Sequence, residues 1–167
     1  MTSKRLFDLC CILPCLILIS PLFLIIALWI KLDSHGTIFF LQTRIGQFGK
    51  PFKIIKFRTM DPSKKGLKLT IGRDARITRS GHFLRHYKLD ELPQLINVLK
   101  GEMSLVGPRP EVPEYVEFYP DNIKEYVLSV PVGITDYASI EFRHESELLA
   151  TSLRPEIEYV EKILPIK

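Results

Sequence analysis

The sequence predicts an α+β protein, with an N-terminal membrane helix-break-helix ahead of a small domain of amphipathic helices around a short β-hairpin. Three observations carry this. From Leu9 to Ile30 the chain reads LCCILPCLILISPLFLIIALWI, without a charged residue. Two aromatic and β-branched runs, TIFFLQ and FKIIKF, flank a turn containing Gly46 and Gly49. Leu92, Leu95, Ile96 and Leu99 then recur at the spacing of one helix face.

As a straight helix the apolar run would reach about 33 Å, roughly a hydrocarbon thickness. It is too long for a cleavable leader, and no small-x-small site follows it. Pro21 has no amide hydrogen, so the carbonyl of Ile17 loses its helical partner, and Ser20 can bond a carbonyl of the preceding turn. Pro14 adds a second interruption. Lys4 and Arg5 precede the run, while Lys31, Arg44, Lys50, Lys53 and Lys56 follow it. With cations on both flanks, the positive-inside preference selects neither end to be outside. A Pro-kinked helix crossing once and a helix entering and leaving by the same cytoplasmic face are both open on these grounds.

The soluble part begins after this run, giving an expected division into 1–32 and 33–167. The chain has 167 residues and room for one modest core. The glycine turn between the aromatic runs predicts a hairpin, with Lys53 and Lys56 giving it a basic aspect. Asp61 to Arg76 is polar and rich in turn formers, and reads as a surface loop. A short helix around His82 to Tyr87 brings Arg85 near Asp90 and Glu91. The helix carrying Leu92 to Leu99 admits Pro93 in its first turn and ends at Gly101. Gly107, Pro108 and Pro110 hold Arg109 on a stiff loop, suited to a phosphate or to a salt bridge with Glu111 or Glu114. Val112 to Leu128 reads as helix interrupted near Pro120, Pro131 to Arg143 as loop and strand, and Glu145 to Leu164 as helix broken at Pro155.

The charge balance, 23 Lys and Arg against 19 Asp and Glu, leaves a net +4, suited to phosphate-bearing or anionic-lipid partners. Cys10, Cys11 and Cys15 lie in the apolar run and read as small hydrophobes. His82 and His86 share a helix face, but Phe83 stands where a zinc protease motif has glutamate, and no third ligand is apparent. No GxGxxG or GxxxxGK[ST] loop occurs, so neither a Rossmann dinucleotide site nor a P-loop is indicated.

The pair Asp90-Glu91 admits two readings. Asp is a preferred N-cap, and acidic residues in a first turn are stabilised by the helix dipole. The same placement keeps a carboxylate ionised and aimed, as a nucleophile or a hard-metal ligand requires. Lys56, Arg58, Arg85 and Arg109 supply the cations of a Mg²⁺-diphosphate site beside a membrane.

Several ordered motifs carry a resemblance: Lys4-Arg5 with Asp8, Ser20-Pro21, KFRTM at 56–60, Arg85, LDELPQL at 89–95 and SLVGPRPE at 104–111. In these the chain resembles the small monotopic polyprenyl-phosphate phosphoglycosyltransferases, the bacterial sugar transferases, from about residue 3 to Gly133-Ile134-Thr135. The resemblance implies a re-entrant helix broken at Ser20-Pro21, on the inner membrane, with the catalytic domain on the cytoplasmic face. It implies Asp90 as nucleophile and Glu91 as its assistant, both near Mg²⁺. It also places Lys56, Arg58, Arg85, Arg109 and Arg143 among the phosphate- and nucleotide-binding positions. A UDP-sugar would donate sugar 1-phosphate to undecaprenyl phosphate, releasing UMP by a ping-pong route and initiating glycoconjugate assembly. Many relatives read RPGITG-x-AQ and then NGR where this chain has PVGITDYAS and EFR. Asp136, Ser139, Glu141 and Phe142 are therefore departures, and Arg143 alone of that triplet remains. Because the region is associated with the donor, the sugar stays open, as do the glycan pathway and any homo-oligomer. The chain stops at Lys167, before a further helix of most relatives, as a truncation or the absence of that helix would give. The alternative from another class is a non-catalytic membrane-anchored module for lipid or nucleotide. A nucleic-acid partner is not expected, since only the net charge favours one and the apolar run opposes it.

Overall fold

The computed structural model describes residues 3–63, 74–142, 149 and 154–164. Helix α1 (Ser3–Asp33) runs for 31 residues, with Pro14 and Pro21 inside it. The expected helix-break-helix is thus a single helix. Ser20 Oγ donates to Ile17 O at 2.8 Å, so the carbonyl that Pro21 leaves unpaired gains a side-chain donor. By length and composition α1 could cross a membrane. Much of its apolar surface is open, with Leu18 81% exposed.

Both ends of α1 dock on the rest of the chain. Near its start, Ile12 packs with Ile54, Leu95, Val98, Met103 and Val132. Toward its end, Ile26 and Ile30 pack with Phe57 and Leu84. Polar side chains fix each attachment. Lys4 Nζ donates to Val106 O (2.6 Å). Arg5 donates to the carbonyls of Val98 and Leu99. Buried Asp8 accepts from Ser104 Oγ (2.9 Å) and Leu105 N (3.3 Å). At the other end, Asp33 Oδ2 accepts from Ser80 N and Ser80 Oγ, each at 2.8 Å.

Strands β1 (Phe39–Ile45) and β2 (Pro51–Phe57) form the predicted hairpin, in antiparallel register from Phe39 opposite Phe57 to Ile45 opposite Pro51. A 3₁₀ turn, Gln47–Gly49, joins them. Helix α2 (Arg79–His86) follows, its first turn capped by Thr78 Oγ1, which accepts from Gly81 N (3.0 Å). The polar stretch before it is described at its ends, where Asp61 N donates to Arg76 O (2.8 Å). The rest of that expected loop, 64–73, lies outside the described residues.

Helix α3 (Gln94–Lys100) ends at Gly101, whose φ of 87° suits glycine. Its buried face is not the one that the leucine spacing predicts. Gln94, Leu95, Asn97 and Val98 are buried, whereas Leu99 is 38% exposed. The reason is that α3 lies between α1 and β2, and Asn97 serves the strand. Its Oδ1 accepts from Ile55 N (3.0 Å), and its Nδ2 donates to Lys53 O (2.8 Å) and Glu102 Oε2 (2.7 Å). Asn97 is 0% exposed, so losing the amide leaves partly buried backbone groups of β2 without their partner. Asn97→Leu is expected to cost about 2–4 kcal/mol by denaturant unfolding. A change below about 0.5 kcal/mol would show the strand edge to be satisfied otherwise.

Strand β3 (Ser104–Val106) pairs in parallel with β4 (Gly133–Thr135), and helices α4 (Pro113–Val116) and α5 (Asp121–Leu128) lie between them in sequence. Beyond β4 the expected irregular stretch contains a helix, α6 (Tyr137–Glu141), because Asp136 caps it by accepting from Ser139 N (2.6 Å). Of the expected C-terminal helix, α7 (Pro155–Glu158) and a π turn (Tyr159–Ile163) are described. Tyr159, Ile163 and Leu164 cluster there with Leu149.

Candidate active site

Side chains alternate along a strand, so Lys56 shares the face of Ile54, which packs on α3. That places its ammonium 2.7 Å from Glu91 Oε1. The same oxygen accepts from Arg109 Nη2 at 3.2 Å. Arg109 arrives from the opposite side, beyond β3. There Gly107 and Gly133 bring two backbones together so closely that a Cβ on Gly133 would lie 2.1 Å from Gly107 N. Gly133 N donates to Pro108 O (2.9 Å) and Arg109 N to Asp136 Oδ2 (3.1 Å), so the loop is held before its side chain extends. Glu111, one of the acids that spacing offered to Arg109, faces Arg44 at 3.6 Å.

Asp90 and Glu91 lie on a 3₁₀ turn, Leu89–Glu91, ahead of α3. Asp90 is therefore not the N-cap of that helix. Pro93 holds the capping position, and it makes no side-chain cap bond. The turn is entered through Lys88 in the left-handed region (φ 56°, ψ 21°), which costs a non-glycine residue about 1 kcal/mol.

The two acids differ sharply in environment. Asp90 is 8% exposed, and its buried Oδ1 has no hydrogen-bond partner. Burial raises its pKa above the ordinary aspartate value of 3.8; Lys56 opposes the rise, Glu91 adds to it, and Arg85 opposes it. The expectation that a helix terminus alone keeps Asp90 ionised therefore does not describe this position. Burial would raise Glu91 too, but Lys56 and Arg109 outweigh it and hold Glu91 well below the usual glutamate range. Burial pushes the Lys56 ammonium down against the pull of Glu91.

Arg85 comes from α2. Its Nε donates to Thr59 Oγ1 (2.8 Å), and its charge acts on Asp90. The structure thus brings Lys56, Arg85, Asp90, Glu91 and Arg109 together. Arg58 is not among them, although KFR places it close to Lys56 in sequence. Its guanidinium turns to the C-terminal end of α1, donating to Ser34 O (2.8 Å) and to the carbonyl of His35. Ser20 and Pro21 lie within α1. Arg143 lies outside the described residues. Sequence reasoning missed Arg44 and Gln94, which line a small recess with Lys56, Arg109 and Pro110. Arg44 was counted only as a flanking cation, and no periodicity marks Gln94 as buried.

Among the described residues, no three His, Cys, Asp or Glu side chains converge as a metal site. The orphaned Asp90 Oδ1 and the adjacent Glu91 suit a hard cation that takes one or two carboxylates and completes its shell with phosphate oxygens and water. A buried carboxylate with one oxygen lacking a donor, and with cations around it, can attack a phosphorus-bearing centre.

Comparison with known proteins agrees with this chemistry. A UDP-glucose:undecaprenyl-phosphate glucose-1-phosphate transferase of Escherichia coli (strain K12) is 45% identical over 151 residues, covering 87% of this chain and 32% of that protein. A UDP-N-acetylgalactosamine-undecaprenyl-phosphate N-acetylgalactosaminephosphotransferase of Aeromonas hydrophila is 37% identical over 160 residues, covering 93% and 38%. The chain thus spans about a third of the length of these two curated relatives. A putative undecaprenyl-phosphate N-acetylgalactosaminyl 1-phosphate transferase of Bacillus subtilis (strain 168) is 42% identical over 132 residues, covering 78% of this chain and 74% of its own length. The sequence model described as Bacterial sugar transferase matches residues 1–166, and with site and relatives in agreement, the chain belongs to the bacterial sugar transferase family.

Proposed function

We propose that this chain transfers a sugar 1-phosphate from a UDP-sugar to a polyprenyl phosphate such as undecaprenyl phosphate, and so begins the assembly of a glycan on lipid. The observation that carries the reading is the buried, unpartnered Oδ1 of Asp90 beside Lys56, Arg85 and the Glu91–Arg109 pair. The names of the relatives support the substrate classes, with both glucose and N-acetylgalactosamine donors among them.

In the first half-reaction, an Asp90 oxygen attacks the sugar-linked phosphorus and the P–O bond to UMP breaks, the bridging oxygen and its electron pair leaving with UMP. In the second, an oxygen of polyprenyl phosphate attacks that phosphorus and the bond to Asp90 breaks, restoring the carboxylate. Splitting one transfer between two bulky anions into two displacements is the advantage of a covalent route. Arg109 and Arg85 offset phosphoryl charge, and Glu91 holds Lys56 and Arg109 in place. Asp90 and Glu91 would hold Mg²⁺, which when bound neutralises diphosphate charge.

The same reading takes 1–32 as a re-entrant membrane segment at the inner membrane and 33–167 as a catalytic domain on the cytoplasmic face. What supports it is that both ends of α1 are tied to one domain while its middle is apolar and open. Tags at Ser3 and Asp33 are both expected to stay inaccessible to a periplasmic reagent. Labelling of one alone would establish a crossing helix.

The deciding experiment incubates the chain with a panel of UDP-sugars, Mg²⁺ and undecaprenyl phosphate and measures UMP. Release with one or more donors is expected, together with a phospho-sugar adduct in intact mass when the acceptor is omitted. No UMP across a broad panel would reject the enzymatic reading.

A further inference from the structure

Arg109 extends from an irregular loop, and ordering a long side chain there has an entropic cost that its surroundings must offset. Asp136 holds its backbone N–H. On the other side, the carbonyl of Pro110 accepts from Arg44 Nη1 at 3.1 Å. Arg44 is oriented in turn, since Nε and Nη2 both donate to Gln42 Oε1 (3.2 and 2.8 Å). Its Nη1 lies 3.6 Å from Glu111 Oε2. Glu111 is buried, and its Oε1 accepts from the hydroxyl of Tyr159 at 2.7 Å. Tyr159 is buried in the C-terminal π turn, with its ring 5.0 Å from that of Tyr115. Ile45 N donates to Glu111 O (3.0 Å), so the loop is also fastened to the end of β1.

Charge gives this network a direction. Arg44, Lys56 and Arg109 line one recess, while Lys56 and Arg109 already share Glu91. Glu111 supplies the counter-charge for Arg44, a third cation beside the two that Glu91 already holds.

We propose that Arg44, Glu111 and Tyr159 form a clasp that positions Arg109 at Glu91, with the C-terminal π turn as its outer member. None of the three need touch substrate; they are positioning residues acting through Arg109. The kinetic part of the proposal rests on the transferase reading above, and the structural part does not.

Glu111→Gln keeps the shape and an acceptor for Tyr159 while removing the charge that faces Arg44. Tyr159→Phe keeps the ring and removes one hydroxyl, so it carries the test alone should Glu111→Gln fail to fold. The expected kcat/KM for UDP-sugar falls about tenfold with Glu111→Gln and about threefold with Tyr159→Phe. On an Arg109→Ala background neither change lowers it further, because the group being positioned is gone. Full additivity on that background, or an unchanged kcat/KM with a lowered Tm, overturns the clasp and leaves a network that serves stability alone. If the wild-type chain releases no UMP, the transferase reading fails by itself, and hydrogen exchange decides the clasp. Faster exchange of amides in 107–112 in both variants, with β1–β2 unaltered, supports it. Unchanged exchange there overturns it.

Discussion

Asp90→Asn is expected to abolish UMP release, by about 10³-fold or more, and to stabilise the folded chain at the same time. The first effect follows because an amide cannot act as the attacking carboxylate. The second follows from burial. The folded state holds the Asp90 proton more tightly than the unfolded chain does, since burial raises the pKa above 3.8. Between the unfolded and folded pKa values the native state carries the extra proton, so stability falls as pH rises through that window. At neutral pH the ionised group is under-solvated, and its Oδ1 has no donor. A neutral isostere removes that penalty. A Tm about 2–4 °C higher is expected, the change that roughly 1 kcal/mol makes in a chain of this size. Intact mass should show no phospho-sugar adduct. Retained turnover would exclude Asp90 as nucleophile, and a lower Tm would show that its charge is compensated in solution.

Gly133→Ala is expected to damage both fold and site. The new Cβ would lie 2.1 Å from Gly107 N and 2.6 Å from Gly107 O, and these are backbone atoms that no rotamer change can move aside. The parallel pair β3–β4 must separate, and Pro108 O loses its bond to Gly133 N. A cost of about 3 kcal/mol or more follows from such overpacking. Because Arg109 sits directly after this contact, kcat/KM should fall even where the protein stays folded. Thermal unfolding and donor kinetics on the same preparation check both parts. A Tm within about 2 °C of wild type would mean that the two backbones separate easily.

How far the sequence carried these conclusions differs by element. The hairpin was legible because two aromatic and β-branched runs flank a glycine turn, and both signals are local. Helix α3 was legible as a helix but not in its orientation. Four aliphatic residues marked one face, yet Asn97 is buried because it satisfies β2, a demand set by another element. Asp90 shows the same limit. Its spacing resembled a cap, while its actual turn, entered through a strained Lys88, depends on how α2 and β2 meet. Lys56, Arg85 and Arg109 came together as the motifs suggested. Arg58 did not, since the open carbonyls at the end of α1 draw its guanidinium away, and a string of residues carries no record of that competition. Asp33 gave no signal, because its partner Ser80 lies far along the chain, and Asp8 entered only through the motif resemblance.

Helix α1 looks in sequence like a detachable anchor, but its attachments make it part of the domain's framework. Removing it would strip two aliphatic clusters of Ile12, Ile26 and Ile30. It would also leave Ser104, the carbonyls at the end of α3 and the first turn of α2 without Asp8, Arg5 and Asp33. A water-soluble form of this protein therefore calls for repainting the outward positions of α1, such as Ile17, Leu18 and Leu24, with polar residues, rather than for cutting the helix off.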